Sequence, residues 1–311
     1  MTKTTRREFL RKSAQAGLAL GIGSQLGGLL GCDSVNNASG RYDTIIIGGG
    51  TAGVIVAAKL QAASAGRKRI LIIEAGGPTA ASIGGTDLPP WLPPDRNDLT
   101  IFDIPGQYST LAFMPLGAPY QLTNTPFTYQ GIGLGGNSMF NGMLFQTNPP
   151  LVFDRSWPAG WRWNDMSPYF DRIRENIPVT NTPSTNGIPQ NTGPAMIVHP
   201  LYESIVWVEG NTSRPFPEEG IYSRPYVATE DGMRAGPVSG YFEAVDPGGV
   251  PVHGLEILEF AKAERIEFDG DGKAVAVHYL KRSGLDQSLP GTAGTARLKR
   301  DGQVVMAAGA L

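Results

Sequence analysis

Gly48, Gly50 and Gly53 stand at the spacing of a dinucleotide-binding turn, and a carboxylate, Glu74, follows about twenty residues later. Residues 44–47 before them form a β-branched run that reads as a buried parallel strand, and residues 54–60 continue as an apolar, alanine-rich helix. In such a unit the first glycine permits a tight turn and the second lets backbone approach a pyrophosphate. The third lets helix and strand pack closely. Phosphate then lies where unpaired N–H groups and the helix dipole point, so Thr51 and Ala52 belong to the phosphate-facing turn. Residues 70–73 read as a second strand ending on Glu74 and Ala75. An acid there accepts from ribose hydroxyls and repels the extra phosphate of NADP. FAD and NAD both remain compatible with this unit.

A second glycine cluster lies in residues 129–145, YQGIGLGGNSMFNGMLF. Gly135, Gly136, Asn137, Ser138, Asn141 and Gly142 leave little side-chain bulk, so backbone there passes something flat and polar. Met139, Phe140, Met143, Leu144 and Phe145 are too apolar for a surface turn.

The elements that must position these groups are strands and helices in alternation, an α/β pattern. The chain has 311 residues, 41 Gly and 25 Pro, length for a large core and composition for many turns. A net charge of −2 gives no basic footprint for nucleic acid. One Cys excludes an internal disulfide, and three His with that Cys offer no zinc or haem pattern. No Gly-Lys-Ser/Thr run occurs, which removes a P-loop.

The stretch from Gly135 to Met143 resembles the first signature of the glucose–methanol–choline (GMC) oxidoreductases. The resemblance implies that this loop passes the isoalloxazine and pyrophosphate of a non-covalent FAD, with Asn141 near the reactive edge of the ring. Gln146, Thr147 and Asn148 depart from the Arg-Gly that often follows. SWPAGWRWNDMSPYFDRIREN (156–176) is similar to the family's Trp-rich passage into a substrate-domain helix, and GMRAGPVSGYFEAV (232–245) to its Arg-containing helix start. Trp157, Trp161 and Trp163 could stack a sugar, though their spacing favours packing. Residues 255–280 read as two strands around the turn Asp269-Gly270-Asp271-Gly272, and Ala263 falls near the adenine. Residues 303–307 read as a strand returning to the FAD sheet, with Ala308 and Gly309 at the cofactor and Gly309 opening the family's second signature.

Residues 76–106, 183–187 and 234–238 are most similar, within the family, to the flavin domain of cellobiose dehydrogenase. That implies a carbohydrate oxidised at a C–OH carbon by hydride transfer to flavin N5, with electrons passed to a non-oxygen acceptor. The family's base is a His near the C-terminus. His199, His253 and His278 match no such segment and read as loop or sheet histidines. The base is therefore expected beyond Leu311, the chain looks C-terminally truncated, and on its own it is expected to be inactive. No His lies between Tyr42 and Met196, so a histidyl–flavin bond from the signature loop is not expected. Two alternatives stay open: a non-catalytic FAD-binding fragment of a split gene, and an NAD-dependent Rossmann enzyme.

The N-terminus reads as an address. Arg6 and Arg7 precede Glu8, Phe9, Leu10 and a Gly-rich apolar run, resembling a twin-arginine export signal, which carries folded proteins. Leu29-Leu30-Gly31-Cys32 is similar to a lipobox, so Cys32 is a candidate lipidation site, the alternative being an inert thiol in a discarded signal. Asp33 implies retention at the inner membrane, on the periplasmic side, where a separate cytochrome or quinone would accept electrons. The expected organisation is a signal over 1–31, a linker over 32–40, FAD-binding parts over 41–150 and 246–311, and a substrate-domain segment over 151–245. The expected fold is α/β: a Rossmann-like FAD-binding domain with a parallel sheet and an inserted, partly antiparallel substrate segment.

Overall fold

The isoleucine-rich runs beside the first glycine cluster become the middle of a sheet because β-branched side chains pack well on a pleated surface buried on both sides. The computed structural model describes residues 33–35, 37–77, 120–122, 129–139, 141–145, 150–180, 184–185, 188–189, 207–208, 221–222, 226–229, 234–242, 254–284 and 290–309. Seven strands form the main sheet: β1 (Asp33–Ser34), β2 (Arg41–Ile47), β3 (Ile70–Ile73), β4 (Leu255–Leu258), β5 (Ala261–Phe268), β6 (Ala274–Lys281) and β7 (Thr292–Met306). Their spatial order is β1-β4-β3-β2-β7-β6-β5. The first five run parallel, whereas β6 is antiparallel to both β7 and β5.

The α/β class holds, and the sheet is mixed rather than wholly parallel. Ile73 lies opposite both Ile47 and Leu258, and Met306 opposite Ile47. The carboxyl ends of β4, β3, β2 and β7 are therefore level, at the edge where open α/β sheets receive ligands. Residues 303–306 pair with β2 as the sequence implied, and the N–H of Ala307 continues the ladder to the carbonyl of Ile47 at 2.8 Å.

Residues 255–280 form three strands instead of two. The expected pair around Asp269–Gly272 is β5 and β6, but Leu255–Leu258 joins the parallel sheet beside β3. The break comes at Phe260, which takes a left-handed φ of 51° and donates its N–H to the carbonyl of Gly76 at 2.7 Å.

Helix α1 (Thr51–Ser64) makes the crossover from β2 to β3. Val54 and Ala57 on it pack with Ile46, Ile70, Ile72, Leu255 and Ile257 on one face of the sheet. Period-two alternation sends Ile45, Ile47, Leu71 and Ile73 to the other face, against Val277, Tyr279 and Leu298. Outside the sheet, α2 (Pro150–Ser156) and α3 (Trp163–Asn176) are joined through aromatic packing. The Phe153 ring centre lies 5.7 Å from Trp157, 5.6 Å from Trp163 and 5.8 Å from Phe170, and Trp161 stacks on Trp157 at 6.1 Å. All three tryptophans thus make ring contacts, with Trp157 and Trp161 still exposed.

Candidate functional site

The glycine turn between β2 and α1 shows the tight turn and the close helix–strand packing that its spacing required. Gly48 holds φ at 98°, and a Cβ there would lie 2.5 Å from the carbonyl oxygen of Ala307. A Cβ on Gly53 would lie 2.0 Å from the carbonyl oxygen of Gly48, so helix and strand meet at a distance no side chain allows. Gly50 is the N-cap of α1, and no side chain caps the helix. No acidic residue occupies its first turn either. The positive end of α1 is thus left to a ligand anion.

Glu74, at the end of β3, is buried and ties three backbone segments together. Its Oε2 accepts from the N–H of Gly49 at 2.6 Å, and its Oε1 accepts from Gly76 at 2.8 Å and Gly133 at 3.0 Å. Burial pushes the carboxyl above its usual 4.5, opposed by these backbone N–H groups. The N–H of Ala75 adds to these three, so the carboxyl is held chiefly by backbone at the rim of the site. The sequence reading gave Glu74 to the ribose alone. The structure adds that it joins the two glycine clusters.

The second cluster lies directly on the first. The N–H of Gly135 donates to the carbonyl of Gly49 at 2.8 Å, and a Cβ on Gly136 would approach Gly50 Cα to 2.9 Å. Thr51 Oγ1 donates to the Gly135 carbonyl at 3.4 Å, and Ser138 Oγ to the same oxygen at 2.7 Å. Asn137 Oδ1 accepts the N–H of Gly131 at 2.6 Å. Residues 136–139 make one 3-10 turn, after which the N–H of Asn141 donates to the Asn137 carbonyl at 3.1 Å. Arg234, from the distant 234–242 segment, is buried against this turn and donates to the Ser138 carbonyl at 3.1 Å.

Between these parts lies a cavity of about 640 Å³, inside the range of about 300–1,000 Å³ usual for cofactor sites. Of the residues singled out from sequence, Gly48, Gly50, Thr51, Ala52, Glu74, Ala75, Gly136, Asn137, Ala263, Ala308 and Gly309 line it. Gly53 acts behind it, in packing. Gly135 and Ser138 border a small adjoining cleft with Arg234. Asn141, Gly142 and Met143 follow one turn beyond Asn137 and are not among its lining. Sequence reasoning missed Ile132, Ala261, Lys262 and Met306 in the wall. Alternation along β5 could have found Ala261, which shares a face with Ala263, but it sends Lys262 to the other face and so gave no signal for it.

The donor set suits a dinucleotide. An uncapped helix N-terminus could offer N–H groups to a pyrophosphate, the strand-end carboxyl of Glu74 lies at the cavity wall, and small residues leave room for flat rings. Lys262 is the one cation among the described lining residues, so phosphate charge would be met chiefly by backbone.

His278 lies elsewhere, on β6, with Nε2 2.7 Å from Glu267 Oε2 and Nδ1 3.1 Å from Thr295 Oγ1. It is a sheet histidine, as its context suggested. Cys32, His199 and His253, with the export and lipid-anchor readings, lie outside the described residues. Among the described residues no helix is long and apolar enough to cross a membrane, and no cluster of His, Cys, Asp or Glu is placed to hold a metal.

The family model of GMC oxidoreductases matches residues 42–311, and the chain belongs to that family. It is similar to an oxygen-dependent choline dehydrogenase of Xanthomonas euvesicatoria pv. vesicatoria (strain 85-10), 29% identical over 257 residues that cover 77% of this chain and 43% of that protein. Among solved structures it is similar to pyridoxine 4-oxidase from Mesorbium loti, with a TM-score of 0.59 and 20% identity over 87% of this chain and 50% of that one. A formate oxidase matches with a TM-score of 0.61 and 16% identity over 88% of this chain and 46% of that one. At these identities the solved structures speak for the fold. The chain spans about half the length of the relatives it matches or less.

Proposed function

We propose that this chain binds FAD non-covalently in the 640 Å³ cavity and serves an oxidoreductase that acts on an alcohol C–OH group. The observation that carries this reading is the contact between the two glycine clusters, Gly135 N–H to Gly49 carbonyl at 2.8 Å, beside an uncapped helix N-terminus in a GMC family member. Bound FAD would supply an electron-pair acceptor at its ring, the redox chemistry that side chains lack. The N–H groups at the start of α1 would hold its pyrophosphate, Glu74 Oε2 a ribose hydroxyl, and Ala263 the adenine side. The turn at 135–143 would bear on the ring.

The titratable side chains in the described lining are Glu74, engaged by three backbone N–H groups, and Lys262. With Glu74 so engaged, we assign the role of base for a hydroxyl proton to residues outside the described lining. A sugar substrate, a cytochrome or quinone acceptor, twin-arginine export and lipidation of Cys32 extend the proposal. They are supported by the sequence resemblances alone.

The test is direct. Purified protein should carry a yellow chromophore released as FAD on denaturation. Anaerobic addition of a panel of alcohols and sugars then separates a complete site, which bleaches it, from the inactive cofactor-binding chain that the sequence implies, which does not. A colourless preparation that takes up NAD would sink the reading. Bound FAD that no alcohol reduces favours the cofactor-binding-only alternative. Palmitate labelling that survives in the wild type and vanishes in Cys32→Ser tests the anchor.

A further inference from the structure

Strands β7, β6 and β5 carry the sheet past α1, and none of the buried core residues packed with that helix comes from β5 or β6. Alternation turns Ile266, Val277, Tyr279, Ala296 and Leu298 toward the opposite core. The register then sets Lys262, Arg265 and Glu267 of β5, His278 of β6, and Thr295 and Arg297 of β7 on the outer face. Arg297 lies opposite Arg41 of β2, which joins the same face.

Arg41, Lys262, Arg265 and Arg297 are exposed there, and none makes an ion pair among the described residues. Arg41 Nη1 donates to the Leu298 carbonyl at 2.8 Å, which leaves its charge unopposed. Glu267 is engaged by His278 Nε2 at 2.7 Å instead. Glu264, the extra residue of the bulge between Ala263 and Arg265, pairs with no cation either. Lys299 is the exception, neutralised by Asp43 at 2.7 Å.

Arg41 and Arg297 occupy paired positions, where like charges oppose folding. A chain with 28 acidic and 26 basic residues could have set a carboxylate at either one. Charge on an edge strand guards against strand addition, which accounts for Arg265 on β5. Strand β7 has neighbours on both sides, so edge protection does not account for Arg297. A local cost with no gain inside the fold points to a use outside it.

We propose that this outer face is a docking surface for a partner protein that presents carboxylates. Arg265 and Arg297 would each take a carboxylate in the forked geometry that guanidinium allows. The field of the unpaired cations would speed the encounter. Lys262 also lines the cofactor cavity, so a partner seated here reaches the rim of that site. An anionic bilayer is the poorer match, because Asp269 and Asp271 stand exposed at the β5–β6 turn and would be pressed against its headgroups. The inference does not depend on the FAD reading.

Fluorescence anisotropy of labelled poly-L-glutamate, titrated with the full chain, tests it. Binding should be measurable at low salt and fade as salt rises. Arg265→Gln combined with Arg297→Gln should weaken it about tenfold. Arg67→Gln combined with Arg155→Gln, at exposed cations elsewhere, should leave it unchanged. Arg297→Gln alone should melt at the wild-type temperature or above in low salt, because it relieves Arg41. No binding by the wild type, or equal loss in the two double variants, would overturn the inference. So would tighter binding of a DNA oligonucleotide or of phosphatidylglycerol vesicles through the same two arginines. A lower melting temperature for Arg297→Gln would tie that arginine to the fold and overturn it as well.

Discussion

The two ends of the parallel sheet are built from different materials. At the carboxyl ends, glycines 48, 50, 53, 135 and 136 bring backbone onto backbone, and one buried carboxylate, Glu74, gathers three N–H groups. At the amino ends, side chains do the joining. Tyr42 donates its O–H to Glu256 at 2.8 Å, Arg69 Nε donates to the other oxygen of Glu256 at 2.6 Å, and the Arg69 guanidinium lies 4.5 Å from the Tyr42 ring centre. Asp43 accepts from the Arg69 N–H and from Lys299, both at 2.7 Å. A side-chain network fills space and tolerates small adjustment. A backbone junction leaves space and tolerates almost none. The empty end is therefore the one suited to a ligand, and the filled end to holding the strands in register.

The largest break in this contrast should come from Gly53→Val. Its Cβ would enter the carbonyl of Gly48 at 2.0 Å, and overpacking against backbone should cost about 3 kcal/mol or more, read as loss of soluble, FAD-binding protein. Glu74→Gln should come next. The amide nitrogen must face an N–H donor, which costs about 1–3 kcal/mol in chemical denaturation and weakens FAD as well.

The pH dependence of Glu74 sharpens that result. With its folded carboxyl raised above 4.5, its contribution to stability is full below 4.5 and is lost as pH rises through the folded value. Melting temperatures of wild type and Glu74→Gln measured across acid pH should therefore differ in slope over that window.

At the filled end effects should be smaller and should spare the cofactor. Tyr42→Phe removes one hydrogen bond and should cost about 1 kcal/mol, with unchanged FAD affinity. Burial and the bond to Glu256 push the Tyr42 hydroxyl up to about 12. Its stabilising contribution is complete below pH 10 and disappears as pH rises through about 12, so the variant should lose less stability across that alkaline window. The smallest effect should be Asp43→Asn. Its partly exposed pair with Lys299 contributes about 0–1 kcal/mol, and added salt should shrink the difference further. A fall in FAD affinity from Tyr42→Phe would break the comparison itself.

The empty end was legible in the sequence to a large extent, because glycines and strand-terminal acids have few other uses. Gly48, Gly50, Gly53 and the 135–136 pair announced both junctions. Their contact did not, since Gly50 and Gly136 are separated by most of a domain and nothing local encodes the approach. Arg234 was read only as a helix start, because its acceptors are carbonyls and one amide on a turn far upstream. The filled end was invisible for the same reason. Tyr42, Arg69 and Glu256 look like ordinary strand-end residues until β4 is set beside β3. Leu255–Leu258 was merged with β5 because the break at Phe260 depends on a left-handed turn that an aromatic residue does not advertise.

Strand β7 carries a consequence for how the molecule is made. Its first part pairs with the neighbouring β6, while residues 303–306 pair with residues 44–47. The central strand of the sheet is thus made about 250 residues before the segment that covers one of its edges. Through that interval its isoleucines offer an open ladder to any other chain, so β2 is the segment a chaperone would have most reason to shield.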